Sequence, residues 1–186
     1  MLRRRNITAA CLLVFAASCA AYPTKDPTGQ MFPPVRGKSL SGENYEIPKA
    51  FQDNETLLLV GYKQRAQFDI DRWLLGLSTK SLNVSTFELP AVMGLIPAFI
   101  SNKIDKGMRR GIPKEDWAQV ITVYEDAERI AEFTGNEDEL TGRVMLLDKR
   151  GIVRFFHDEG FSVKALERLA TTVRQLKANT VAVRGK

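Results

Sequence analysis

The sequence predicts an α/β fold in which a central mixed sheet is flanked by helices, with an N-terminal hairpin and a helical insertion. Three observations carry that reading. From residue 35 onward strand-like and helix-like segments alternate, as layered α/β domains require. Residues 56–62 (TLLLVGY) are a continuous apolar run, the pattern of a strand covered on both faces. Near the end of the chain, residues 143–148 and 152–157 flank a Lys149-Arg150-Gly151 turn and precede a long amphipathic segment, so the sheet closes with an antiparallel pair and a helix.

The elements follow in order. Residues 35–47 read as a short hairpin turning at Ser41-Gly42-Glu43-Asn44. After the apolar strand, Ile70, Trp73, Leu74 and Leu77 recur at i, i+3, i+4 and i+7, one face of a helix. Residues 83–89 return as a strand that stops at Pro90. The stretch 91–111 is first apolar, then basic, with Phe99, Ile100, Ile104 and Met108 at helical spacing and Pro97 at its start. About half of its apolar residues are expected to fill core and the rest to form a docking groove. A helical turn at 113–118, a strand at 120–124 and a short helix at 126–133 come next, the last with Ala127, Ile130 and Ala131 inward. Residues 135–141 are an acidic loop. Ser162 caps the final helix, whose apolar stripe is Val163, Leu166, Leu169, Ala170, Val173 and Leu176. The domain is set at 35–178, and 179–186 is expected to fray. Parallel strands need right-handed crossovers, which leaves few topologies for this order.

Ahead of the domain lies a leader. Residues 1–6 (MLRRRN) are basic and 7–18 (ITAACLLVFAAS) are apolar. Twelve helical residues span roughly 18 Å, short of a bilayer core of about 30 Å, so residues 1–18 read as a signal peptide. Ala16-Ala17-Ser18-Cys19 resembles the bacterial lipobox, with Ala16 where Leu is usual, which makes Cys19 the lipidation site. The alternative is ordinary cleavage after Cys19-Ala20-Ala21, leaving a soluble protein. Twin-arginine export through Arg4-Arg5 has poor context. Residues 19–34, with Pro23, Pro27, Gly29, Pro33 and Pro34, read as anchor and flexible tether. The expected place is the periplasmic side of a bacterial membrane, and Ala20 rather than Asp after the cysteine favours the outer membrane over the inner.

Composition sets limits. The 186 residues carry 27 Lys+Arg, 22 Asp+Glu, one His and two Cys. That excludes a polytopic membrane protein, a disulfide scaffold and a mostly disordered chain. Removing residues 1–18 leaves 24 basic and 22 acidic residues, so no polyanionic partner is indicated and nucleic acid is not expected. Beyond Cys19 the chain contains no thiol.

Three segments carry a family resemblance. They are Gly37-Lys38-Ser39-Leu40-Ser41-Gly42, the passage Val60-Gly61-Tyr62 … Ala66-Gln67 … Trp73, and residues 144–155 (VMLLDKRGIVRF). Over residues 32–178 the chain resembles the thioredoxin superfamily, and within it the mitochondrial ATP synthase assembly factors of thioredoxin-like fold. Redox members carry their cysteine pair in the loop after the first central strand, which here is Lys63-Gln64-Arg65-Ala66-Gln67. Thiol–disulfide exchange needs a thiolate at a helix N-terminus, and these residues supply none. The cis-proline usual opposite the pair falls at Arg143. Copper-carrying relatives use cysteines with a histidine, and only His157 remains. The resemblance therefore transfers no catalytic residue, no cofactor and no metal.

The remaining candidates are weak. Gly37-Lys38-Ser39 imitates the end of a P-loop but leads into a hairpin, and the Asn54 and Asn83 sequons are incidental behind a bacterial leader. His157 reads as a solvated hairpin-end residue, and Glu137-Asp138-Glu139 as a solvated loop without calcium-ligand spacing. The densest basic segment is Lys103, Lys106, Arg109, Arg110 and Lys114. With Phe99, the residues Lys103, Lys106, Arg109 and Arg110 form the expected partner surface. The expectation is a non-enzymatic, redox-inactive, lipid-anchored module that binds or helps assemble an envelope protein. The alternatives are a periplasmic small-anion binder or non-thiol enzyme reusing Lys63, Gln64, Arg65 and Gln67 at a helix N-terminus, and a purely structural envelope protein.

Overall fold

The computed structural model describes residues 21–82 and 84–184, with backbone alone from 179. The signal peptide, Cys19, Ala20 and Asn83 lie outside the described residues. Antiparallel strands β1 (Val35–Ser39) and β2 (Asn44–Ile47) form the predicted hairpin, with Val35 opposite Ile47 and Lys38 opposite Asn44. The chain continues through β3 (Thr56–Gly61), α1 (Gln67–Ser78), β4 (Ser85–Pro90), α2 (Ala98–Gly111) and β5 (Ile121–Thr122). It closes with α3 (Ala127–Thr134), β6 (Arg143–Leu147), β7 (Val153–His157) and α4 (Val163–Arg184).

Four strands form the central sheet in the order β4-β3-β6-β7, and β2-β1-β5 form a second. β3 and β4 are parallel, whereas β6 runs antiparallel to both β3 and β7. Bridges Glu88–Val120 and Ala91–Val123 join the two sheets along β4. The crossover through α1 is what lets β3 and β4 lie parallel.

Alternation along β3 divides the core. Leu57 and Leu59 pack on one side against Ile70 and Trp73 of α1 and Leu166, Leu169 and Val173 of α4. Leu58 and Val60 pack on the other against Ile130 and Ala131 of α3 and Val35, Ile47 and Phe51 of the hairpin region. All four β3 leucine and valine side chains are fully buried, each stabilising the fold by about 1.5–3 kcal/mol. Helices α1 and α4 meet at Gly76, where an added Cβ would fall 2.7 Å from the Phe161 ring and 3.0 Å from Leu166. Only a hydrogen at that position permits the approach. Ser162 caps α4 as predicted, its Oγ accepting the Ala165 N–H at 3.1 Å.

Four expectations need correction. The segment read as a flexible tether, as far as it is described (21–34), is packed onto the domain. Phe32 is fully buried, Lys25 N–H donates to Thr134 O, Gly29 N–H to Val153 O and Phe32 N–H to Gly151 O. The prolines that suggested a linker instead supply an extended backbone whose free groups pair with the sheet. Second, within 91–111 only Ala91 and, in part, Met93 join the core, and α2 itself contributes no buried residue. Third, α4 continues to Arg184 instead of fraying at 179. Fourth, the strand expected at 120–124 is regular only at Ile121–Thr122.

Candidate functional site

The carboxyl end of β3 is where a sheet of this topology places its functional loop. Gly61 lies opposite Pro90, Val60 opposite Arg143, and Val144 opposite His157. The segments leaving β3, β4 and β7 and the one entering β6 therefore meet at one end of the sheet.

The loop Lys63-Gln64-Arg65-Ala66-Gln67 sits there, with Gln64–Ala66 as a single 3-10 turn leading into α1. Its polar groups are engaged with their neighbours. Lys63 Nζ pairs with Glu139 at 3.3 Å, and Ala66 is buried with its N–H on Lys63 O. Gln67 Nε2 donates to Asp71 Oδ1 at 2.9 Å and to Glu88 Oε2 at 3.0 Å. Burial pushes the Glu88 carboxyl above the usual carboxylate range, against the lowering effect of the Gln67 hydrogen bond. Gln64 and Arg65 face solvent.

Beneath the loop lies a buried polar core that sequence reasoning missed. Arg143, at the head of β6, is fully buried. Its Nε donates to Gly135 O at 3.2 Å, and its Nη1 donates to Thr141 O at 2.9 Å and to Asp138 O. The guanidinium also lies 5.3 Å from the centre of the Tyr62 ring. Tyr62 shares a 2.6 Å hydrogen bond with Thr134 Oγ1, and burial pushes its phenol up to about 12 despite Thr134 and Arg143. Asp69 is buried beside them, with Oδ2 accepting Gly142 N–H at 2.9 Å and Oδ1 accepting Phe161 N–H at 2.6 Å. A sequence signal existed for Arg143, a charged residue heading an otherwise apolar strand. None existed for Asp69, which looks like any acid in the first turn of a helix.

This arrangement ties the loop after β3 to the segment entering β6. Arg143 stands where redox relatives were expected to carry the cis-proline, and it braces the acidic loop 135–141 by its main-chain carbonyls. Glu137-Asp138-Glu139 is thus not simply solvated. Glu137 accepts Thr24 N–H at 3.1 Å, Asp138 Oδ1 caps Leu140 N–H, and Glu139 holds Lys63.

His157 is buried rather than solvated. Its Nε2 bonds Gly160 O at 2.7 Å, its Nδ1 faces Arg168 at 3.5 Å, and its ring meets Trp73 edge-on at 5.6 Å. Both nitrogens are engaged, and the loop offers no cysteine. The residues present do not fit the copper site of copper-carrying relatives. Among the described residues no group of three or more His, Cys, Asp or Glu is placed to hold a metal, and no helix is long and apolar enough to cross a membrane.

The predicted partner surface is partly assembled. Phe99, Lys103, Lys106 and Arg110 recur at i, i+4, i+7 and i+11 and are all exposed, a single outward stripe of α2. Arg109 is not part of it. Its Nε donates to Leu40 O at 2.8 Å and its guanidinium lies 5.6 Å from the Trp117 ring centre, so it fastens the helix to the domain. Tyr124 does the same from the other side, its hydroxyl donating to Asp105 Oδ1 at 2.7 Å, and burial with Asp105 raises its pKa.

No protein-family model matches the chain, and no curated protein matches it in sequence. Solved structures do match. A thiol peroxidase from Chromobacterium violaceum aligns with a TM-score of 0.54 at 10% identity, over 81% of this chain and 90% of that one. The fold is thioredoxin-like. Copper-bound ScoI of Arabidopsis thaliana aligns with a TM-score of 0.54 at 14% identity, over 78% of this chain and 99% of that one. BsSco, a member of the Sco family of cytochrome c oxidase assembly proteins, aligns with a TM-score of 0.54 at 12% identity, over 83% and 97% respectively. These likenesses support a thioredoxin-like fold. At such identities they carry the fold alone, and the narrower likeness to ATP synthase assembly factors gains no support from them.

Proposed function

We propose that this chain is a redox-inactive, lipid-anchored module of thioredoxin-like fold on the periplasmic side of a bacterial membrane, where it binds or helps assemble another envelope protein. The observation that carries the proposal is the replacement at the carboxyl end of β3. The loop that would hold a reactive thiol holds Lys63-Gln64-Arg65-Ala66-Gln67, and the side chains behind it, Arg143, Tyr62 and Asp69, bond to one another's loops. Thiol–disulfide exchange and thiol peroxidase chemistry both begin with a thiolate, which this loop lacks. What the domain offers instead is the exposed stripe Phe99, Lys103, Lys106 and Arg110 on a helix that gives nothing to the core. Its exposed side is a surface available for contact. Assembly is named in the description of BsSco, and it is by analogy that we extend it to this chain. Lys63 and Gln67 are paired internally, which leaves the small-anion reading with Gln64 and Arg65 as its solvent-facing groups.

The test is photo-crosslinking in intact cells from Lys106. One discrete protein adduct is expected, lost in the triple reversal Lys103→Glu, Lys106→Glu, Arg110→Glu. Purified material should turn over neither disulfide nor peroxide substrates. A thiol-independent turnover, or an adduct ladder indifferent to the reversal, would remove the proposal.

A further inference from the structure

The described chain begins at the same end of the sheet as the loop. Tyr22 is fixed there from both sides, its N–H donating to Asn136 Oδ1 at 2.6 Å and its carbonyl accepting the Asn136 N–H at 3.0 Å. Thr24 and Lys25 continue the attachment through Glu137 and Thr134 O. Cys19 precedes Tyr22 by three residues, a reach of at most about 10 Å. A free tether over 19–34 would have reached roughly 50 Å. On the lipid-anchored reading, on which this inference rests, the end of the domain carrying Asn136 is held against the bilayer.

That end also displays apolar side chains to solvent. Phe68 in the first turn of α1 is 71% exposed, Phe99 in the first turn of α2 73%, and Val163 in the first turn of α4 66%. Leu95, in the segment between β4 and α2, is wholly exposed, and Leu140, in the loop entering β6, is half-exposed. The strand register places the starts of these segments at one end of the sheet. With Ile100 beside Phe99, six of the eight large exposed hydrophobic residues among the described ones thus belong to it. Met31, beside Gly151 and Ile152, lies at the opposite end. Charge at the first end is mixed, with Lys63, Arg65 and Lys103 set against Glu137, Asp138 and Glu139. Such a surface has little net pull on anionic headgroups, so apolar insertion rather than electrostatic attraction is the available contact.

We propose that the end of the domain bearing Phe68, Leu95, Phe99, Leu140 and Val163 rests in the headgroup layer of the bilayer that holds the anchor. The molecule then lies on the membrane instead of projecting from it. Helix α2, about 21 Å long, starts at the membrane and carries its basic stripe away from it, so a partner is met within roughly that distance of the lipid surface.

The experiment uses the full chain, purified with its anchor and reconstituted into vesicles of phosphatidylethanolamine and phosphatidylglycerol. An acylated Cys19 and a removed leader leave no free thiol, so Leu95→Cys, Phe99→Cys and Met31→Cys each accept one environment-sensitive fluorophore. Nitroxide-bearing lipids should quench the labels at 95 and 99 at least about threefold more than the label at 31. Equal quenching at all three sites overturns the proposal. So does a label at 95 that is shielded in native envelopes yet wet on protein-free vesicles, since a protein would then cover this face. The mass of the N-terminal peptide decides the anchor separately. If Cys19 carries no lipid, the anchor reading fails, and the face is judged by co-flotation of the chain with the same vesicles. A tenfold loss of flotation in Leu95→Asp/Phe99→Asp supports it, and absence of flotation overturns it.

Discussion

Replacing Arg143 by Met should unfasten the loop that closes the carboxyl end of the sheet. Met preserves the aliphatic volume in β6 but deletes the donors to Gly135 O, Asp138 O and Thr141 O and the cation above Tyr62. A hydrogen bond to a charged group contributes about 1.5–3 kcal/mol. The exposed Asp138 carbonyl can rehydrate, whereas the buried Gly135 carbonyl cannot. Loss of the cation–π contact adds about 0.5–2 kcal/mol. Against these stands the relief from burying a charge that has no carboxylate among the described residues within ion-pair distance. The balance is a destabilisation of about 2–4 kcal/mol. Urea unfolding at neutral pH measures it, and amide exchange locates it, with faster exchange expected over 135–142 and 22–25. Arg143→Lys should recover less than half, because an ammonium cannot fork between carbonyls on different turns. A loss below about 1 kcal/mol with unchanged exchange in the loop would refute the bracing role.

Gly135 has φ +73°, and a Cβ there would lie 2.5 Å from Thr24 Cα and closer still to Pro23 O. Gly135→Ala should therefore undock residues 21–27, cost about 1–3 kcal/mol from the glycine-only backbone conformation (φ 73°, ψ 161°) alone, and create a protease site before residue 28; an intact N-terminal segment would contradict this. Burial pushes the Asp148 carboxyl up, but the Ile152 N–H, Arg154 and the Arg150 N–H together hold it below the usual range. A depressed folded value stabilises above the unfolded pKa and is lost as pH falls through the folded one, so Asp148→Asn should cost about 1–3 kcal/mol at pH 7 and progressively less in strong acid, read as Tm against pH. Glu88 runs the other way. Its raised folded value means stability is lost as pH rises through it, so Glu88→Gln should raise Tm at neutral pH and leave it unchanged in acid below the unfolded carboxylate pKa.

Much of the scaffold was legible. The 56–62 run, the Ile70–Trp73–Leu74–Leu77 face, the capping Ser162 and the closing hairpin were read correctly because each is encoded by local periodicity or turn chemistry. Pro97 does begin the insertion helix, as its fixed φ suggests. The same periodicity misled for the apolar face of α2. An amphipathic stripe reports that one face differs from the other, not that a core awaits it. His157 was misplaced because Asp158 and Glu159 follow it in sequence, while in space it packs on Trp73, 84 positions away, and bonds Gly160 O.

By itself the sequence determined the layered α/β order, the two-sided burial of β3, the lack of any thiol after Cys19, and the basic stripe of α2. These depend on spacing and residue type within a few turns of chain. Only the tertiary structure decided that residues 21–34 are bound to the sheet, that Arg109 is a fastener, and that Arg143 and Asp69 sit buried behind the loop. Each joins residues 69 to 124 positions apart or closes a loop on itself. Such pairings are set by which faces exclude water together, and no local pattern of residues records that.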